Sequence, residues 1–122
     1  MRLLLAVCIA VALGETASAQ AHAVGKGAGT ASCAEYAKAY QMSPDQTEDH
    51  FLSWAVGYMS GINFITGNMS GTSWDLAAKT PNEMKRYLRQ YCNDHPLADY
   101  ADGVAELMKS LPTFKPTLKS KD

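Results

Sequence analysis

The strongest constraint on this chain is a pair of cysteines, Cys33 and Cys92, in a sequence that begins like an export signal. Met1-Arg2 gives a short positive start, Leu3 to Leu13 is an unbroken apolar run, and Ala17-Ser18-Ala19 places small residues before Gln20. That order is the pattern of a secretory signal peptide cut after Ala19, with Ala21-His22-Ala23 as a second candidate cut. A helix of the length of the apolar run rises only about 17 Å, short of a bilayer core of roughly 30 Å, so no stable membrane anchor is expected. Cys8 leaves with the signal. Two cysteines in an exported chain of this size read as one disulfide. The alternatives are a catalytic thiol or a zinc site, and zinc would need further ligands that no C-x-x-C or clustered histidine supplies. The bridge would close a loop of about 60 residues, worth roughly 4 kcal/mol by chain entropy.

Outside the signal, residues 20–31 are rich in Gly and Ala and read as a flexible leader with almost nothing to bury. Residues 112–122, with two prolines and three lysines, read as a flexible, mildly basic tail, with Phe114 as the residue able to fold back. Residues 32–111 are left as one domain. Beyond residue 19 there are only three Val and two Ile, so strand-forming aliphatics are scarce while helix formers are plentiful. The expected fold is all-α, a small four-helix domain stapled by one disulfide.

Ser32 with Glu35 makes a capping box for a first helix that ends at Ser43-Pro44. A second helix is expected from about Pro44 or Thr47 to about Thr66. Phe51, Trp54, Ala55, Tyr58, Met59, Ile62 and Ile65 form its apolar face. Gly57 and Gly61, four apart, would suggest helix pairing in a membrane; in a water-soluble domain they are expected to let a neighbouring helix or the disulfide come close. Residues 67–80 read as a loop because Gly67 and Gly71 interrupt the pattern, with a short turn at Asp75–Ala78. Thr80, Pro81 and Glu83 start a third helix that carries Cys92 near its end. A fourth is expected from the Asn93-Asp94-His95-Pro96 corner to about Leu111, with Leu97, Tyr100, Val104, Leu107, Met108 and Leu111 as its apolar stripe.

The chain carries 11 Lys+Arg against 12 Asp+Glu, which excludes a polybasic nucleic-acid binder. The three histidines have no metal-ligand spacing, and His22 lies in the leader. His50 and His95 are candidate pH sensors because histidine charges near neutrality. Asp94, Asp99 and Asp102 suit the positive end of the fourth helix. No nucleophile elbow, phosphate loop or carboxylate cleft can be assembled, so neither an enzyme nor a cofactor or metal is expected. Phe64, Met69 and Trp74 are the candidates for a surface that touches a protein client or one protein partner.

The layout resembles the HdeA/HdeB-like periplasmic proteins over about residues 32–111. The first helix opens on the cysteine in Ser32-Cys33-Ala34-Glu35-Tyr36. The second carries Ala55-Val56-Gly57-Tyr58-Met59-Ser60-Gly61, and the third ends in Tyr91-Cys92-Asn93-Asp94-His95-Pro96. The resemblance implies a periplasmic single-disulfide domain and, in the best-understood members, an acid-activated holdase chaperone. Such chaperones are homodimers at neutral pH that come apart in acid and hold unfolding clients. Acid gives this chain a driving force of that kind. Below about pH 3 its carboxylates are mostly neutral, and the Lys, Arg and His beyond residue 19 leave a charge near +13. The GY-x-SG-x-N stretch and the YC-x-x-HP corner also resemble the immunity proteins that neutralise type VI secretion amidases, which implies a binding module for one secreted hydrolase instead.

Overall fold

The computed structural model describes residues 25–115. The signal peptide with its cut after Ala19, His22 in the early leader, and residues 116–122 of the tail lie outside the described residues. Four helices follow in order: α1 (Cys33–Met42), α2 (Pro44–Ser70), α3 (Pro81–Asp94) and α4 (Tyr100–Lys109). A two-residue strand β1 (Ser73–Trp74) pairs antiparallel with β2 (Thr113–Phe114). The fold is therefore the expected all-α domain with four helices and a minimal ribbon.

Local chemistry sets the helix starts. Ser32 and Thr80 each donate a backbone N–H to the carboxylate three residues on, at 2.7 Å in both cases, and each hydroxyl accepts the return N–H. Pro44 bars Ser43 from helical geometry, so α1 stops at Met42 and α2 begins one residue later with Pro44 in its first turn. Asp99 and Asp102 close a third capping box on α4. Asp94 does not join them; it ends α3 and accepts from Gln90 at 3.0 Å.

The disulfide joins the first residue of α1 to the end of α3, with Cys33 and Cys92 Cα atoms 4.7 Å apart. Both cysteines are buried in the core. Beside them Tyr36, Phe51 and Tyr100 pack in a triangle, with ring centroids 4.8–5.3 Å apart. Burial pushes the Tyr36 phenol up to about 12, reinforced by the nearby Glu48 charge, and it pushes Tyr100 up as well. The 95–99 corner runs along the start of α1, where Cys33 donates to the Ala98 carbonyl and Tyr100 to that of Ala31, both at 2.8 Å.

The fold departs from the sequence expectations in four places. First, α2 does not stop at Thr66. It continues to Ser70 and ends on Gly71, whose φ of +66° is the left-handed geometry that glycine adopts without penalty. Second, its fully buried stripe (Thr47, Phe51, Leu52, Ala55, Met59) ends at Met59, and beyond it Ile62 packs on the core only partly buried. Tyr58 and Ile65, expected inward, are exposed. Third, α4 begins at Tyr100, not at the corner, and Leu97 stands 95% exposed because it precedes the Asp99 cap. Fourth, parts of the expected leader and tail are built into the domain. Ala28 and Gly29 are buried in a tight turn against Trp54, whose indole N–H donates to the Lys26 carbonyl at 2.9 Å. Thr113 and Phe114 form the second strand of the ribbon.

Candidate protein-binding surface

Because α2 spans 27 residues, about 40 Å of helix, it outreaches the ten-residue helices α1 and α4. Its N-terminal half is held tightly. Glu48 pairs with Arg89 of α3, and Asp49 with Lys85 one turn earlier at 2.6 Å. Arg89 also reaches the Tyr40 hydroxyl and lies 5.5 Å from the centre of that ring. The hydrogen bond that Lys85 donates to Asp49 holds its ammonium above its ordinary range. The far end of α2 is held by Asn63. Its side chain accepts the Trp74 N–H at 2.9 Å and donates to the Trp74 carbonyl at 2.7 Å, acting as a third strand for the ribbon.

Phe64 is 76% exposed and Met69 82% exposed. They lie on the outward side of α2 together with Ile65, and Met69 sits in the last helical turn and not in a loop as expected. Trp74 is not part of that surface: it is partly buried and packs on the core from its place in β1. The candidate trio therefore splits into two exposed α2 residues and one ribbon residue.

Gly57 and Gly61 correct a second expectation. Among the described residues no helix and no disulfide approaches them; a Cβ added at either would meet nothing there within 4 Å. Both face solvent on the same side as Phe64. A glycine inside an exposed helix costs about 1 kcal/mol relative to alanine, and no contact among the described residues accounts for that cost here. The sequence also carries a signal missed in the composition: residues 51–74 contain no Asp, Glu, Lys, Arg or His. An exposed helical face is ordinarily charged. Val56, Tyr58, Phe64, Ile65 and Met69 are instead exposed among glycine, serine and asparagine.

The candidate pH sensors stand apart. His50 is exposed on α2, edge-on to Phe51 at 5.7 Å, and His95 stacks on Tyr91 at 4.4 Å beyond the end of α3. Among the described residues no three His, Cys, Asp or Glu side chains converge to hold a metal ion, and no helix is long and apolar enough to cross a membrane. A groove of about 700 Å³ lies between the leader turn, Trp54, Tyr58 and Asp99. Trp54 and Tyr58 stack there at 5.2 Å, and the indole N–H is already used on Lys26. What this arrangement offers chemically is apolar contact area on a helix with free backbone approach. Comparison with protein-family models, with curated proteins and with solved structures finds no match to this chain.

Proposed function

We propose that this is an exported, periplasmic, HdeA-like protein that holds unfolding protein clients under acid stress, and that the outer face of α2 is the surface that holds them. The observation that carries this reading is the uncharged, exposed run of α2 carrying Phe64, Ile65 and Met69. Covering one such side chain yields about 1.5–3 kcal/mol, without any demand on the sequence of the client. The means of activation is the division of labour between ion pairs and disulfide. Glu48–Arg89 and Asp49–Lys85 bind α2 to α3 through ion pairs, which hold only while both partners are charged. The Cys33–Cys92 bond ties α1 to α3 at any pH. Loss of those pairs then loosens α2, which keeps its Phe51, Leu52, Ala55 and Met59 packing, within a frame that stays closed.

Light scattering of an aggregating client at pH 2.5 and pH 7 tests this, with and without the disulfide-intact protein. Suppression in acid is expected; unchanged aggregation at pH 2.5 contradicts it. The second reading is a binding module for a single secreted hydrolase. The same face favours it through being open in the folded state. Enrichment of one partner from periplasmic extract at neutral pH, with no client protection in acid, would establish that reading in its place.

A further inference from the structure

We infer that the outer arc of α2 and the lysines that follow the ribbon form a reversible docking surface for a lipid bilayer carrying anionic headgroups. The inference goes beyond client holding, because it concerns the folded protein at neutral pH. At the helical repeat, Phe64, Ile65 and Met69 fall within one arc of roughly 140° around α2, and Gly57, Gly61 and Asn68 fall in the same arc. All six residues are exposed, and none is charged. The carboxylates of α2 itself, Asp45, Glu48 and Asp49, stand toward its opposite end, with Asp49 about 24 Å along the axis from Ile65. A helix that lies in the plane of a bilayer surface needs such an arc, because its apolar side chains enter the boundary between headgroups and acyl chains.

Apolar contact alone is one signal, and one signal gives only marginal attachment. The second lies in the chain after the ribbon. Phe114 is 48% exposed and pairs with Ser73, whose hydroxyl donates to the Asn63 carbonyl of α2 at 3.4 Å. The ribbon therefore runs along the turns of α2 next to Phe64. Lys115 comes next and is exposed, and Lys119 and Lys121 follow within about 22 Å of fully extended chain. Residues 115–122 hold three lysines against one carboxylate, Asp122. Asp75, which follows β1, is half-buried and accepts the Ala77 N–H at 2.9 Å, and Glu106 at the end of α4 is paired with Lys109. Charge thus selects the occupant. A second copy meeting this surface about a two-fold axis would bring the same lysines toward each other. An anionic bilayer instead places headgroups against the lysines and apolar depth against Phe64, Ile65 and Met69, and each lysine held there raises affinity about fivefold.

Co-sedimentation with phosphatidylcholine vesicles containing about one-third phosphatidylglycerol tests this at pH 7 and low salt. The protein is disulfide-intact and begins at Gln20, as the expected cut leaves it. Half of it should bind at about 0.1–1 mM lipid, the range of a single acyl chain. Pure phosphatidylcholine, or about 0.5 M salt, should weaken binding at least tenfold. Phe64→Ser with Met69→Ser should weaken it at least tenfold while the melting temperature stays level, because both side chains are exposed. Lys115→Gln with Lys119→Gln and Lys121→Gln should do the same, and these positions lie beyond the helices, which keeps the test decisive if the α2 variant misfolds. Protein that anionic vesicles leave in the supernatant, equal binding to neutral and anionic vesicles, or binding that neither variant lowers overturns the inference. A protein that dimerises and ignores vesicles assigns the arc to a second copy and overturns it as well. Vesicle binding by a protein that protects no client in acid overturns the holdase reading and leaves the docking standing; client protection by a protein that ignores vesicles does the reverse.

Discussion

Gly29 lies so close to Trp54 that a Cβ there would stand 1.9 Å from the indole Cη2. The ring is held against the leader turn by the bond from its indole N–H to the Lys26 carbonyl, so making room for a Cβ strains that contact. Gly29→Ala should therefore destabilise the domain by about 1–3 kcal/mol, the usual result of overpacking. Thermal unfolding followed by circular dichroism checks this, with a drop of at least roughly 4 °C expected. An unchanged melting temperature would show that residues 25–31 do not contribute to the fold.

Reduction of the Cys33–Cys92 bond, or the double change Cys33→Ser with Cys92→Ser, should remove roughly 4 kcal/mol of stability. That is a large share of the 5–15 kcal/mol typical of a domain. Urea unfolding of oxidised and reduced protein measures the difference. A midpoint that does not move contradicts the role given to the bridge.

Stability should fall in acid through the capping boxes of α1 and α3. Hydrogen bonds from Ser32 hold the Glu35 carboxyl below its ordinary value of 4.5, and those from Thr80 do the same for Glu83. A carboxyl whose value is lowered by folding stabilises the fold above its unfolded value and loses that contribution as pH falls through the folded one. The loss therefore lies below about pH 4.5. Glu35→Gln with Glu83→Gln retains an acceptor and abolishes the titration, so its melting temperature should fall less between pH 7 and pH 3 than that of the wild type. Parallel curves for the two proteins would remove the caps from the acid response.

Asn63→Ala should release the ribbon, because it strips Trp74 of partners for both its N–H and its carbonyl. Leaving partly buried backbone groups unpaired costs about 1–3 kcal/mol. Hydrogen exchange should speed at least tenfold at the Trp74 amide and little at the Met84 amide on α3. Equal exchange at Trp74 before and after the change would mean that the strand pairing alone holds β1.

What was legible in the sequence was local. Ser32 with Glu35 and Thr80 with Glu83 act across three residues, so both helix starts could be read from the chain. Pro44 marked the break between α1 and α2 for the same reason. What was missed depends on distant partners. Gly67 was read as a helix breaker, but the helix passes through it, and Gly71 alone adopts left-handed geometry. The strand at Ser73–Trp74 exists only because Thr113–Phe114 lies beside it, some forty residues on. Gly29 reads as a linker residue until Trp54 is placed over it. On the surface, Phe64 and Met69 were identified and are exposed, whereas Trp74 is drawn inward by the ribbon. The charge gap at residues 51–74 was present in the sequence, but it acquires meaning only once α2 is seen to outrun the core that buries its first half.

The central claim is that the outer face of α2 holds clients in acid, and site-specific photo-crosslinking tests it most directly. A photoreactive residue in place of Phe64, with one in place of the exposed Asn82 on α3 as control, is irradiated at pH 2.5 with an aggregating client. The account predicts client adducts from position 64 and few from position 82. Client protection with adducts from position 82 but none from position 64 would contradict it.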